Sequence, residues 1–451
     1  MDQSLPPPQS LQRDVPTSNE GGPIAFREEA ALSVVSLFAG IGGFDLAFER
    51  VGAAVKLQCE RDPFCRSILR RHWPEALQSD DIQALQASDV PDADIWTAGF
   101  PCQDVSLARG SHGRSGLKGK HTSLFFDLIR LAGKKKPKVI LLENVLGLLS
   151  SHKGADFAIV VSELAAIGYA VSWRVINARY FGAPQSRSRV FIVAWRNDYK
   201  KALSSLYEPE RGHIPEAARS AFLRQSIHSK SGAIVPQIAY CVAATSGRHT
   251  GNDWARSYVC YTDSVRRPTP TESERLQGFS AGWTLPLNHP DTRKLDSDRY
   301  KAVGNAVAVP VVTWIARRIV DQMDAANPNS RTFQDGVFSA APDLGPPSAS
   351  SVIDKDLLQE IAAGKVSYRW KTGGVIWRDK VLEANVSPAP ATELSTKFVD
   401  ALDETIPDQQ YFLTVNAAKG ILRRADSVGR TLFPPMRSAL EKLVSDTNSN
   451  E

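Results

Sequence analysis

The sequence predicts an α/β domain on a mostly parallel sheet, with a smaller inserted region and a C-terminal extension. Three observations carry this. Short apolar, β-branched runs alternate with helical patterns from Ala31 to Trp195, the signature of strand–helix–strand units. Those runs are nearly continuously apolar, as strands buried on both faces are. A glycine cluster lies between the first run and the first helix. Open α/β sheets turn tightly at such a place and bind ligands beside it. The 451 residues leave room for two or three domains.

Residues 1–30 are rich in Pro, Ser and Gln and read as a disordered tail. SVVSLF is the first strand. GFDLAFERVG follows as a helix, with Phe44, Ala47, Phe48 and Val51 on one face and Gly52 as its stop. AAVKLQCE and ADIWTAGF are strands, TSLFFDLIRLAG a helix and KVILLENV a buried strand. ADFAIVVSELAAIG is a helix closed by Gly168, and AVSWRVI and RVFIVAW are further strands. Residues 31–197 thus form the first part of the main domain. The periodicity weakens over 198–267, where arginines are interleaved with Tyr240, Trp254 and Tyr258. Core-like texture returns over 268–325, residues 326–350 are a linker by composition, and 351–451 carry two helical patterns, NAAKGILRRADSVG and PPMRSALEKLVSD.

The net charge of +5 permits a polyanionic partner without demonstrating one. Five cysteines with no CxxC pair argue against a disulfide framework or a structural zinc, so no metal site is expected and a reducing compartment is. No secretory signal is visible and no apolar run approaches the roughly 20 residues of a membrane helix. The expectation is a cytoplasmic protein without membrane contact.

The glycines at 40, 42 and 43 let a ligand approach the main chain, but the third slot of a dinucleotide GxGxxG holds Asp45, which disfavours a pyrophosphate. Glu60, ending the second strand, suits two ribose hydroxyls, and Asp81 suits an adenine amino group. An adenosine without phosphates points to S-adenosylmethionine. Cys102 follows the strand ADIWTAGF, behind Pro101, which fixes the backbone before it. A thiol is a strong nucleophile once ionised, and at a pKa of about 8.5 only a few per cent is thiolate at neutral pH. It therefore needs a nearby cation or an electron-poor target. Glu143 ends the next strand, where a partly dry setting raises a carboxyl pKa toward proton donation at neutral pH. Arg187 and Arg189, two apart, share one face of a strand beginning there, with Gln185 on the same face.

Together FAGIGGFD, GFPCQDVS, LLENV, QSRSRVF, RRPTPTESERLQGF and YKAVGNAVAVPVV resemble, in order, the motifs of the DNA cytosine-5 methyltransferases of bacterial and phage type, over residues 33–322. The resemblance implies a Rossmann-like S-adenosylmethionine-dependent methyltransferase domain, with residues 198–267 as an inserted target recognition domain and 351–451 as an accessory extension. It implies that Cys102 attacks C6 of a cytosine flipped out of double-stranded DNA while Glu143 bonds N3. Arg189 then reaches O2, and Arg187 holds the carboxylate and backbone. For the cofactor it implies Phe38, Gly40, Ile41, Gly42, Gly43, Glu60, Asp81, Ile82, Phe100, Pro101, Leu124 and Asn305. One departure is Arg61, where many members carry an aromatic. For DNA it implies Gln103, Gln185, Arg109 in the glycine-rich basic loop SLARGSHGRSGLKGKH, and Arg248 in CVAATSGRHTGNDW. A monomer partnered in the cell by a cognate restriction endonuclease is the matching setting. Methylation of RNA cytosine, a catalytically inactive DNA-binding protein and a nicotinamide-dependent oxidoreductase are the rival classes. The first lacks its Cys-Phe-Thr tripeptide here, the second conflicts with the intact Cys102 and Glu143, and the third with Asp45.

Overall fold

The structure is a computed structural model that describes residues 31–101, 124–210, 221–247, 253–286, 292–323, 337, 341–344, 351–378 and 380–448. The first part of the chain gives β1 (Ser33–Leu37), α1 (Gly43–Glu49), β2 (Ala54–Cys59), α2 (Pro63–His72), β3 (Leu77–Ser79), β4 (Ile95–Ala98), α3 (Leu124–Lys135) and β5 (Val139–Val145). Then come α4 (Ala155–Ala166), β6 (Tyr169–Asn177), β7 (Gln185–Ser186), β8 (Ser188–Arg196) and α5 (Tyr199–Leu206). Short strands follow: β9 (Gln225–Ile227), β10 (Ile234–Pro236), β11 (Ala239–Tyr240), β12 (Val259–Cys260) and β13 (Val265–Arg266). The remainder comprises α6 (Pro270–Gln277), α7 (Thr292–Asn305), α8 (Val309–Met323), β14 (Ser351–Asp354), α9 (Lys355–Ala362), β15 (Gly373–Trp377), β16 (Lys380–Ala384), α10 (Val415–Ser427) and α11 (Pro434–Asn448).

Ten strands make the main sheet, in the order β14-β16-β15-β6-β8-β5-β4-β1-β2-β3. From β3 to β5 the pairs are parallel. β8 then runs antiparallel to both β5 and β6. Only residues 178–187 separate β6 from β8, too few for the crossover a parallel pair needs. The mostly parallel sheet expected from the sequence is therefore parallel in one half only. Both faces are covered, which explains the continuous apolar runs. On β1, Val34 packs with Phe48 of α1, Leu69 of α2, Leu203 of α5 and Ile315 of α8. Val35 and Leu37 point the other way, to Leu128 of α3, Val161 of α4 and Ile361 of α9. Among the described residues no single helix is long and apolar enough to cross a membrane.

Residues 225–266 build a separate four-stranded sheet, β13-β12-β10-β9. The motif RRPTPTESERLQGF behind it explains its own helix. Thr269 caps α6 in a capping box with Glu272, Pro270 opens it and Gly278 closes it at φ 86°. Arg266 meets Glu272 through two hydrogen bonds of 2.7 and 2.8 Å, both side chains fully buried.

The C-terminal extension joins both sheets' neighbourhoods. β15 pairs antiparallel with β6, and β16 and β14 continue outward. The helical patterns read from sequence are α10 and α11. They pack on the small sheet through Ile421, Ala425, Leu432 and Met436 against Tyr258, Cys260 and Val265.

Asp45, the residue in the third glycine slot, is fully buried in the first turn of α1. It accepts hydrogen bonds from Ser36 Oγ (3.1 Å) and Gln58 Nε2 (3.0 Å). Burial outweighs these bonds and pushes its carboxyl up to about 6. The folded state thus holds a proton that the unfolded chain releases near 3.8. The resulting stability is complete below that value and is lost as pH rises through about 6. In Asp45→Asn the side-chain oxygen still accepts from Gln58 Nε2 and the amide donates to Ser36 Oγ, without the charge. The change is expected to raise stability at pH 7.5 by about 1–3 kcal/mol. The gain should vanish in urea titrations below about pH 4. An equal gain at both pH values would contradict this account.

Candidate active site

The carboxyl ends of β1, β2, β4 and β5 converge on one cavity of about 620 Å3. Phe38, Gly40, Glu60, Gly99, Phe100, Pro101, Leu124, Glu143, Asn144, Arg187, Arg189 and Asn305 all line it. Its volume falls within the roughly 300–1,000 Å3 of small-molecule sites.

One end is the glycine turn. Phe38 stands at φ 54°, an unusual conformation for a side chain with a Cβ. Gly40 follows at φ 57°, and a Cβ there would meet nothing within 4 Å, so the turn leaves open space at that point. Gly42, at φ 81°, could carry no side chain, because a Cβ would lie 2.2 Å from the Trp73 ring. Glu60 accepts from Gly40 N (2.7 Å) and Asp62 N (2.8 Å), tying the turn to the end of β2.

The other end holds Glu143 between two arginines. Glu143, the fifth residue of β5, is buried, and burial raises its carboxyl above the ordinary range. Arg189 and then Arg187 pull it back. Arg189 Nε lies 3.0 Å from Glu143 Oε1 as an ion pair. Asn144 Nδ2 donates to Phe100 O at 2.8 Å, which ties the end of β5 to the chain just before Pro101. Arg187 is buried and donates to Val242 O (2.8 Å), Ala306 O (2.7 Å), Gly304 O (3.3 Å) and Cys241 Sγ (3.3 Å). Burial, then Arg189, lowers its pKa. It knits Cys241 and Val242, and the end of α7, to the main sheet.

The family model for C-5 cytosine-specific DNA methylase matches residues 32–230 and 212–321. The chain belongs to that family. It is a DNA cytosine-5 methyltransferase. Type II methyltransferase M2.BsuMI of Bacillus subtilis is 32% identical over 311 residues, covering 64% of this chain and 75% of its own. Type II methyltransferase M.NgoBI of Neisseria gonorrhoeae is 32% identical over 319 residues, covering 66% and 95%. Among solved structures, a methyltransferase of Entamoeba histolytica covers 66% of this chain and 100% of its own, at 17% identity and a TM-score of 0.48.

Within this methyltransferase, not every residue singled out from sequence reaches the cavity. Ile41 is fully buried, and its carbonyl accepts from Trp283 Nε1. Gly42 and Gly43 shape the turn and are not part of the lining. Asp81 and Ile82 also lie outside the lining. The Asp81 carboxylate accepts from Gln83 N (2.9 Å), closing its own turn, and Ile82 is a core residue. Gln185 corrects the expectation of a DNA contact. It is fully buried, its amide donates to Leu276 O and Gln277 Oε1, and its oxygen accepts from Val242 N. The two-residue strand β7 turns it inward. Cys102, Gln103, Arg109 and Arg248 lie outside the described residues. Sequence reasoning missed Asp298 and Lys301 on the rim, which α7 supplies. Lys301 Nζ donates to Asp62 Oδ2 at 2.8 Å. Only a helix some 240 positions from Asp62 brings them there, and no local signal marks it.

Proposed function

We propose that the enzyme methylates C5 of a flipped-out cytosine in a specific duplex sequence through a covalent Cys102–C6 adduct, with S-adenosylmethionine as donor. The observation that carries this is the shared cavity. The glycine turn, Glu60, Glu143, Arg189 and Pro101, the residue directly before Cys102, all border one space. The lining suits adenosine. Glu60 offers a carboxylate for ribose hydroxyls, and Phe38, Phe100 and Leu124 offer apolar surface for the ring.

A pyrimidine C6 is a poor electrophile until N3 is protonated or strongly hydrogen-bonded. Nucleophile and acid must therefore act together. Glu143, with its raised pKa, holds the proton for N3, and the ion pair with Arg189 fixes the carboxyl's orientation. Arg189 also faces the base oxygen O2. The Cys102 thiolate forms the bond to C6, the ring electrons shift toward C5, and N3 takes the proton of Glu143. S-adenosylmethionine, when bound, supplies the methyl group that C5 acquires. Water then takes the C5 proton, and the C5–H electrons restore the C5=C6 double bond. The C6–S bond breaks with the sulfur leaving as thiolate, and N3 returns its proton to Glu143. Neither Cys102 nor Glu143 reaches a stacked base, so the base leaves the duplex at a cost of a few kcal/mol.

Residues 198–267 serve as the target recognition region, with 241–254 as the base-contacting stretch. The relatives named Type II methyltransferases support a cytoplasmic modification enzyme working beside a restriction endonuclease. The test supplies labelled S-adenosylmethionine with duplex DNA, with tRNA or with neither, and maps the product by bisulfite sequencing. Label at C5 of cytosine in duplex DNA, within one short sequence, is expected. Label on RNA alone, or none, would refute the reading.

A further inference from the structure

The C-terminal extension lies beyond the family match, which ends at residue 321. Yet it touches the stretch proposed to read bases. Asp253, beside that stretch's end, is buried, with 1% of its surface exposed. Its Oδ1 accepts from Tyr258 OH at 2.9 Å. Its Oδ2 accepts from Arg424 of α10, at 2.7 Å from Nη2 and 3.2 Å from Nε. The apolar side of α10 and α11 seals the same place, with Ile421 and Ala425 in one core with Tyr258. The arrangement is a cation from outside the family match holding the one buried carboxylate of this segment.

The segment so held forms a wall. Ala255, Arg256, Ser257 and Tyr258 face Cys241–Ala243 and Ser246 across a cavity of about 290 Å3, with Arg267 beside them. Arg256 bridges the two sides by donating to Thr245 O (2.6 Å) and Thr245 Oγ1 (2.9 Å). Arg267 donates to Gly247 O. Those bonds anchor the stretch from within the recognition region. Arg187 and Gln185 tie the start of the stretch, at Cys241 and Val242, to the chain entering β8 of the main sheet, and Asp253 ties its other end to the C-terminal extension.

We infer that Arg424 is a positioning residue for target recognition, acting through Asp253 on the segment 253–258. The inference rests on the reading of residues 241–254 as the base-contacting stretch within the recognition region 198–267. A buried carboxylate that loses its cation is left uncompensated and pulls its segment toward water. Base-edge hydrogen bonds tolerate little displacement, so the loss falls on DNA recognition. The cavity at the ends of β1, β2, β4 and β5 has no residue of α10 in its lining, and α10 packs chiefly on α11 and the turn Asp253–Ala255.

The test uses the full chain and the duplex sequence that bisulfite mapping identifies, beside duplexes carrying single base-pair changes. Arg424→Met is expected to raise KM for DNA about tenfold and to lower discrimination against the changed duplexes about tenfold. kcat at saturating DNA and the Kd for S-adenosylmethionine should stay within about twofold. Arg424→Lys, which keeps the charge, should stay within about threefold of the parent in every parameter. In the double variant Asp253→Asn with Arg424→Met, the effects should not add, because the two side chains form one link. If Arg424→Met proves insoluble, Asp253→Asn alone reads the same link, with a threefold or so rise in KM expected. Unchanged KM and discrimination in either single variant would overturn the inference. So would kcat, cofactor affinity and DNA affinity falling together, the mark of a general structural role. A parent enzyme that methylates without sequence preference would instead overturn the recognition reading itself, and the inference with it.

Discussion

Cys102→Ser is expected to lower the rate of methyl transfer by about 10³-fold or more, with DNA and S-adenosylmethionine binding within about threefold of the parent. The reason is the electronic character of the two atoms. A thiol near its ordinary pKa of about 8.5 already presents a few per cent thiolate at neutral pH, whereas a serine hydroxyl presents essentially none without a dedicated base. Glu143 cannot be that base while its function is to hold a proton. The variant keeps its volume and its place after Pro101, so the lining residues Glu60, Glu143 and Arg189 keep their ligands. Single-turnover transfer of labelled methyl, with binding measured separately, checks this. A variant retaining more than about a tenth of the parent rate would remove Cys102 from the nucleophile's role.

Glu143→Gln should lower kcat by about 10²–10⁴-fold, the range of a lost general acid. Its pH dependence separates a proton donor from a mere hydrogen-bond partner. Burial raises the Glu143 pKa while Arg189 and Arg187 oppose the rise. As pH rises through that value the proton-donating form disappears, just as the thiolate becomes more abundant. The parent rate should therefore level off above the Glu143 pKa and fall above the thiol pKa. The glutamine variant has no proton to lose there, so its residual rate should keep rising up to the thiol pKa. Rates measured from pH 5 to 9.5 decide between the two (range set by the reference values of carboxyl and thiol groups). Parallel profiles for parent and variant would deny Glu143 its acid role.

Much of this site was readable in the sequence because the chemistry sits at strand ends. β1, β4 and β5 are short, mostly apolar and buried, so the first glycine or charged residue marks where each gives out, and Gly40, Gly99 and Glu143 stand there. What failed to read depends on partners distant in the chain. Gln185 has the polarity of a surface residue, and its inward turn follows from Val242, Leu276 and Gln277, far along the sequence. Asp81 has the carboxylate that suits an adenine amino group, but it turns back to accept from Gln83 N in its own turn. The strands of the C-terminal extension were missed for a similar reason. β15 opens with two glycines, and β16 carries Glu383, a charge that local reasoning sends to solvent. Glu383 is buried, accepting from Tyr368 OH at 2.6 Å and Lys371 N at 3.1 Å. Neither donor could be paired with it before β15 had found its partner, β6.

The most direct measurement is covalent capture. Duplex DNA carrying 5-fluorocytosine at the modified position cannot lose the C5 substituent as a proton, so in the proposed mechanism the Cys102–C6 bond would not be released. Incubation with S-adenosylmethionine and the full-length enzyme should give a complex that survives denaturation and maps to Cys102. The Cys102→Ser chain should give none. A denaturation-stable complex in that variant, or none with the parent under conditions where it methylates ordinary duplex, would contradict the account.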